Sequence, residues 1–143
     1  MMGNSADIQE RWFQRVWSNE EEEAIYEMLV PDTHAAGLGS QPRIGPEQFK
    51  EFHRCFLKLM SDIDIKIDKR MQQGDWYSTL VTFNARRRDN GQPVSMTGHV
   101  FCRIVDDKIV EGYNHFDLIG LFGQLGLLPV DAVDRCLMGQ KCG

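Results

Sequence analysis

Residues Glu111–Gly126 read EGYNHFDLIGLFGQLG. The stretch starts as a strand-like run carrying Tyr113, Asn114 and His115, and from Leu118 it continues as an apolar, helix-like one. Asp117 stands at the junction. An aspartate placed there is a good N-cap, because its carboxylate accepts hydrogen bonds from the free amides of the first helical turn. At the rim of an apolar pocket the same carboxylate is suited to general acid/base work. The rest of the chain supplies the setting.

Upstream of this stretch the apolar residues repeat with a period of two. Asp106-Asp107 is a short hairpin connection between strands predicted over 94–105 and 108–116. Asp89-Asn90-Gly91 marks the turn from a strand over 76–87, which is rich in Trp, Tyr, Val, Thr and Phe. Gln73-Gly74-Asp75 is a further turn, and before it Ile63, Ile65 and Ile67 alternate with Asp64, Lys66 and Asp68. Strands joined in this way form a largely antiparallel sheet.

Further back the period becomes helical. Gly45-Pro46 opens a helix with Phe49, Phe52, Phe56, Leu57 and Met60 on one side and Lys50, Glu51, Arg54 and Lys58 on the other. His53 falls close to the apolar side and reads as a packed core histidine. Pro31 ends an earlier helix, whose first turn carries Glu20–Glu23 as a solvated, dipole-matched start, and PDTHAAGLGSQPRIG follows as a loop. Residues 6–17 form a first helix with Ile8, Trp12 and Val16 on one face, and Phe13 and Trp17 alongside. Helices first and hairpin-linked strands afterwards give an α+β class, with the helices covering one face of a curved antiparallel sheet. Without repeat or linker, the chain reads as one domain over 1–143, with about 129–143 as a C-terminal extension.

The 143 residues are 26% charged and 42% hydrophobic, an ordinary globular balance. A formal charge of −5 argues against nucleic acid or an anionic membrane as partner. Arg86-Arg87-Arg88 beside Asp89-Asn90-Gly91 reads as a solvated turn rather than an anion site. The opening MMGNSADIQERW lacks a signal-peptide layout, and no segment has the roughly 18–20 continuous apolar residues that span a bilayer. Cys55, Cys102, Cys136 and Cys142 show neither a CxxC pair nor histidines at metal spacing. Neither a zinc site nor a disulfide framework is expected, and a reducing cytoplasm is the natural compartment. Cys136 and Cys142 fall in a tail read as mobile, where adventitious oxidation is the simple expectation.

A curved sheet closed by helices leaves a concave side able to hold a ligand among apolar walls and a few polar groups. The candidates cluster on the last two strands. His99, Phe101 and Arg103 share one face, and Glu111, Tyr113 and His115 share another whose parity Asp117 continues. The hairpin register decides which faces point inward. Each residue also has a structural reading: Asp117 as a cap, His115 exposed at a strand end, Tyr113 in the core, His99 bonded across strands, His34 in solvent.

Three stretches carry a family resemblance: WSNEEEEAIYEMLVPDTHAAGLG (17–39), GPEQFKEFHRCFLKLMSDIDIKID (45–68) and FCRIVDDKIVEGYNHFDLIGLFGQLG (101–126). Over roughly residues 10–128 the chain resembles the SnoaL-like polyketide cyclases and ester cyclases of the nuclear-transport-factor-2-like superfamily. The resemblance implies a cone of antiparallel sheet behind N-terminal helices, a homodimer, and a small hydrophobic or carbonyl-containing molecule as partner. It implies Asp117 as acid/base of a cofactor-free and metal-free cyclisation, with His99, His115 and His34 in support. Tyr113 would then help to hold the carbonyl between apolar walls at Trp76 and Phe101. VTFNARRRDNGQPVSM (81–96) is shorter and more basic than the corresponding family segment and has no histidine, which implies a different pocket mouth and substrate. A non-catalytic binding module and a hydrolase or dehydratase are the alternatives on the same scaffold.

Overall fold

The computed structural model describes residues 6–142. Met1–Ser5, part of the stretch searched for a signal sequence, and Gly143 lie outside the described residues. In chain order, α1 (Ala6–Trp12) runs into a π-helical turn (Phe13–Ser18), followed by α2 (Glu22–Met28), β1 (Leu29–Ala36), β2 (Arg43–Ile44) and α3 (Gly45–Leu59). Then come β3 (Met60–Gln73), β4 (Trp76–Arg87), β5 (Pro93–Val105), β6 (Lys108–Phe116), α4 (Leu118–Gln124) and α5 (Ala132–Leu137). The strands form one curved, unclosed sheet in the order β2-β1-β6-β5-β4-β3.

Hairpins make β3 to β6 antiparallel, as expected. Asp106 and Asp107 both take positive φ, 52° and 60°, the type I′ geometry that matches the right-handed twist of the flanking strands. Register irregularities in β3, at Ser61/Asp64 and Ile67/Lys69, bend that long strand. Three of the four glutamates meet arginines from other elements: Glu20 pairs with Arg88, Glu21 with Arg15 and Glu22 with Arg54. Arg86-Arg87-Arg88 is likewise spent on local partners, including Gly91 O, Asp89 and Glu20.

The structure corrects the expected loop over 31–45 by placing β1 there. Pro31 lies where the pairing of β1 with β6 shifts register between Leu29 and His34, so its missing amide costs no ladder bond. Thr33 Oγ1 accepts from Val30 N at 2.8 Å and donates to Ile109 O at 2.7 Å, fastening the irregular strand to β6. This β1–β6 pairing is parallel, the exception in an otherwise antiparallel sheet. The segment expected to be a mobile tail contains α5.

The first helix departs from its expected α-helical course at Phe13. Asn19 N donates to Gln14 O at 2.8 Å, a five-residue step, and the Val16 carbonyl turns toward α3. His53 Nε2 donates to that carbonyl at 2.7 Å, with the ring edge-on to Trp17 at 5.0 Å. At 1% exposure, with no partner for Nδ1, this histidine is held neutral, and burial pulls its pKa below the ordinary value. It is the core histidine the sequence suggested. His53→Phe keeps the aromatic packing but strands the Val16 carbonyl, and is expected to cost about 1–3 kcal/mol in urea unfolding. Because folding depresses its pKa, His53 contributes its full stability above the ordinary imidazole value of 6.5 and loses it as pH falls toward the lower folded value. Unfolding curves taken across that window should show the loss in the wild type and its reduction in His53→Phe; parallel curves would contradict this role.

Candidate functional site

Strand parity divides β5 into two faces. Val94, Met96, Gly98, Val100, Cys102 and Ile104 turn toward the helices and are buried, while Ser95, Thr97, His99, Phe101 and Arg103 turn away. On β6, Gly112, Asn114 and Phe116 share the helix side. The aromatic side chains of α1, the π-turn and α3 face them: Trp12, Phe13, Trp17, Phe49, Phe52 and Phe56, most of them in edge-to-face contact. Between sheet and helices lies a cavity of about 80 Å³. Phe52, Phe116 and Leu118 are half-buried at its rim, and Trp12, Val100 and Cys102 lie deep.

The polar groups in this wall are neutral. Gln9, 1% exposed on α1, accepts from Thr79 Oγ1 at 2.6 Å and makes a weak 3.5 Å contact from Nε2 to Cys102 Sγ. The threonine hydroxyl thus orients the amide and leaves Nε2 as its inward donor. Asn114 Nδ2 donates to Ala36 O at 2.9 Å; a carbonyl partner sets the orientation of this amide too, and Oδ1 is its remaining acceptor. Thr33 is committed to the backbone bonds described above. Burial pushes the Cys102 thiol up to about 12, so it stays protonated near neutral pH. Among the described residues no group of three or more His, Cys, Asp or Glu is placed to hold a metal ion.

The residues singled out from the sequence lie elsewhere. Trp76, His99, Phe101, Tyr113, His115 and His34 stand on the outer face of the sheet, not in the cavity. Trp76 stacks on Phe101 at 4.7 Å and on Tyr113 at 6.4 Å, and His34 packs against Tyr113 at 6.1 Å. His99 Nε2 is 2.7 Å from Ser78 Oγ, opposite His115 across the ladder. The physical reason is the apolar content of the other face of β5, which burial selects. That signal was present in Val94, Met96, Val100 and Ile104, and among the polar residues lining the cavity it would have found Cys102. Gln9 had no signal of its own, being one polar residue in an amphipathic helix.

Asp117 lies exposed at the start of α4. Its Oδ1 accepts from Gly120 N at 3.0 Å, its carbonyl accepts from Leu121 N at 3.0 Å, and its amide donates to Thr97 O. It is a helix cap flanked by two cavity-lining residues, Phe116 and Leu118.

Residues 7–125 match the sequence pattern of the SnoaL-like polyketide cyclases. No curated protein sequence matches the chain. A protein of Jannaschia sp. CCS1 described as a SnoaL-like polyketide cyclase superposes with a TM-score of 0.75 at 15% identity, over 87% of this chain and 93% of that one. TsrD from Streptomyces laurentii gives 0.73 at 19% identity, over 90% and 99%. A Catenulispora acidiphila protein with a ketosteroid isomerase-like fold, solved with trimethylamine, gives 0.75 at 17% identity, over 90% and 98%. At these identities the likeness establishes the fold.

Because Asp117 caps α4, Asp117→Ala should lower stability by about 1 kcal/mol, while Asp117→Asn, an equally good cap, should lose little. Denaturant midpoints test this; equal losses for both variants would show that the carboxylate charge matters and the cap bond does not.

Proposed function

Given that the chain belongs to the SnoaL-like polyketide cyclase family, we propose that it takes a small, largely apolar, carbonyl- or hydroxyl-bearing molecule into the cone and holds it by burial and neutral hydrogen bonds. The observation that carries this reading is the character of the cavity wall, which combines aromatic and aliphatic side chains with the uncharged polar groups of Gln9, Thr33, Cys102 and Asn114. Such a wall favours a neutral guest, since a charge placed there would lose its hydration without a counter-charge. Gln9 Nε2 gives up only a weak sulfur contact to meet a ligand carbonyl, and Asn114 Oδ1 receives a ligand hydroxyl. The cavity is smaller than the roughly 150 Å³ that admits benzene in an engineered core. Entry of even a single ring therefore displaces the rim side chains Phe52, Phe116 or Leu118.

A second reading is cyclase-type turnover, favoured by the position of Asp117 between Phe116 and Leu118. With Oδ1 on the cap, Oδ2 is the oxygen left to take a proton from a carbon beside the carbonyl and return it after ring closure. His99 and His115 take no part in this reading, being on the outer face. That face, with the Trp76–Phe101–Tyr113 stack and Leu80 43% exposed, is assigned in this proposal to a second copy of the chain.

Acetophenone, with ethylbenzene as the hydrocarbon control, should quench or shift the fluorescence of Trp12 and Trp17 saturably, the ketone binding more tightly. Gly112→Val adds its first carbon 3.8 Å from Cys102 Cβ, an ordinary contact, and points into the cavity. It should weaken binding by roughly tenfold, about 1.4 kcal/mol, with thermal stability retained; undiminished binding would contradict the site. Deuterium exchange beside the ketone, followed by NMR, tests the second reading: Asp117→Asn should abolish any catalysed exchange, and full exchange by the variant would sink it. For the pairing surface, Phe101→Glu should convert a sedimenting dimer to monomer, and a wild type that is monomeric at high concentration would contradict it.

A further inference from the structure

Helix α5 ends in a tight reversal. Gly139 takes φ +76°, its amide donates to Cys136 O at 2.9 Å, and Gln140 N donates to Arg135 O at 2.9 Å, the six-to-one bond of a Schellman-type cap. The reversal sends the chain back along the helix it has just left. Cys142 Sγ thereby comes 3.9 Å from Cys136 Sγ and 3.8 Å from the carbonyl of Ala132, one turn earlier on the same helix face. The two thiols therefore belong to a built turn and are not isolated groups on a loose tail. They are also unequal: Cys136 is exposed and Cys142 half-buried. Neither lies in the stretch matched by the family pattern, which ends at residue 125.

We propose that Cys136 and Cys142 form a reactive dithiol that exchanges with a low-molecular-weight disulfide of the glutathione class, closing an intrachain disulfide that ties the C-terminal segment to α5. The exposed Cys136 is the entry point. Its thiolate attacks one sulfur of the small disulfide, whose other half leaves as a thiolate, and a mixed disulfide remains on Cys136. Cys142 then loses its proton to solvent and attacks Cys136 Sγ, expelling the second small thiol. One external disulfide is reduced to two thiols as the protein dithiol is oxidised. Closure requires the sulfurs to move from 3.9 Å to about 2.05 Å, within reach of side-chain rotation. Burial and the bond to Cys136 push the Cys142 thiol up, which agrees with its acting second. The other two thiols have no such neighbour: Cys55 is alone on α3 and Cys102 is buried at the cavity.

The test is incubation of the full chain with oxidised glutathione, acid quenching, and tryptic mapping by mass spectrometry without reduction. Cleavage after Arg135 and Lys141 separates Cys136–Lys141 from the peptide that begins at Cys142, so closure yields the two joined through sulfur. The wild type should show the joined pair in a monomeric band on a non-reducing gel. Cys142→Ser should instead hold glutathione on Cys136 at least roughly tenfold longer than the wild type does. Gly139→Val, which disfavours the positive φ, should slow closure while leaving the first exchange at Cys136 intact. Glutathione persisting on Cys136 equally in wild type and Cys142→Ser would overturn the proposal, as would a joined pair found only between two copies.

Discussion

Phe116 lies across Gly98, its partner on the neighbouring strand, and a β-carbon there would fall 2.1 Å from the ring. This close fit holds β5 and β6 in one register, and a slip by a single residue would turn every side chain to the opposite face. The rest of the molecule depends on that choice. It puts Val100, Cys102 and Asn114 against the helix aromatics, and it puts His99, Phe101 and Tyr113 outside. The cavity is the space left on the inner side where Gly112 contributes no side chain of its own.

Two kinds of interaction frame this space. Inside, aromatic rings and neutral amides share the wall, and each amide that shapes it is aimed by a fixed partner: Thr79 for Gln9 and Ala36 O for Asn114. An amide aimed in this way presents one predetermined donor or acceptor to a guest, so the orientation cost is met before binding. Outside, the charged residues are spent on surface pairs that join elements, such as Arg54 with Glu22 and Arg88 with Glu20. Pairs of this kind are individually weak. They position α2 against its neighbours without bringing charge into the cavity.

The hairpin-linked strands, the Phe-rich helix and the capping aspartate were legible because each has a strong local cause: a period of two, a period near 3.6, and an acid at a strand-to-helix junction. β1 was not legible, because Pro31 reads as a breaker, and what rescues the strand is a side-chain bond from Thr33 to Ile109, 76 residues away. The π-helical turn depends on His53, 37 residues on, and is equally invisible locally. The site was obscured for a different reason. Histidines and aromatics drew attention to one face of β5, whereas the plain apolar alternation of the other face carried the burial signal. The β5–β6 pairing shifts register at Arg103/Ile104, so Ile109 and Gly112 on β6 both turn inward although three residues apart. Parity counted from the sequence alone could not have assigned Asn114.

Under the proposed function, guests enter the helix-covered side of the sheet and leave the histidine-bearing side untouched. Methyl- and aromatic-resolved NMR during titration with a small aromatic ketone tests it most directly. Saturable shifts are expected at Met96, Val100, Ile109 and Leu118, with the ring signals of His99, His115 and Tyr113 unmoved. Saturable shifts confined to those three rings, with the inner methyls silent, would contradict it.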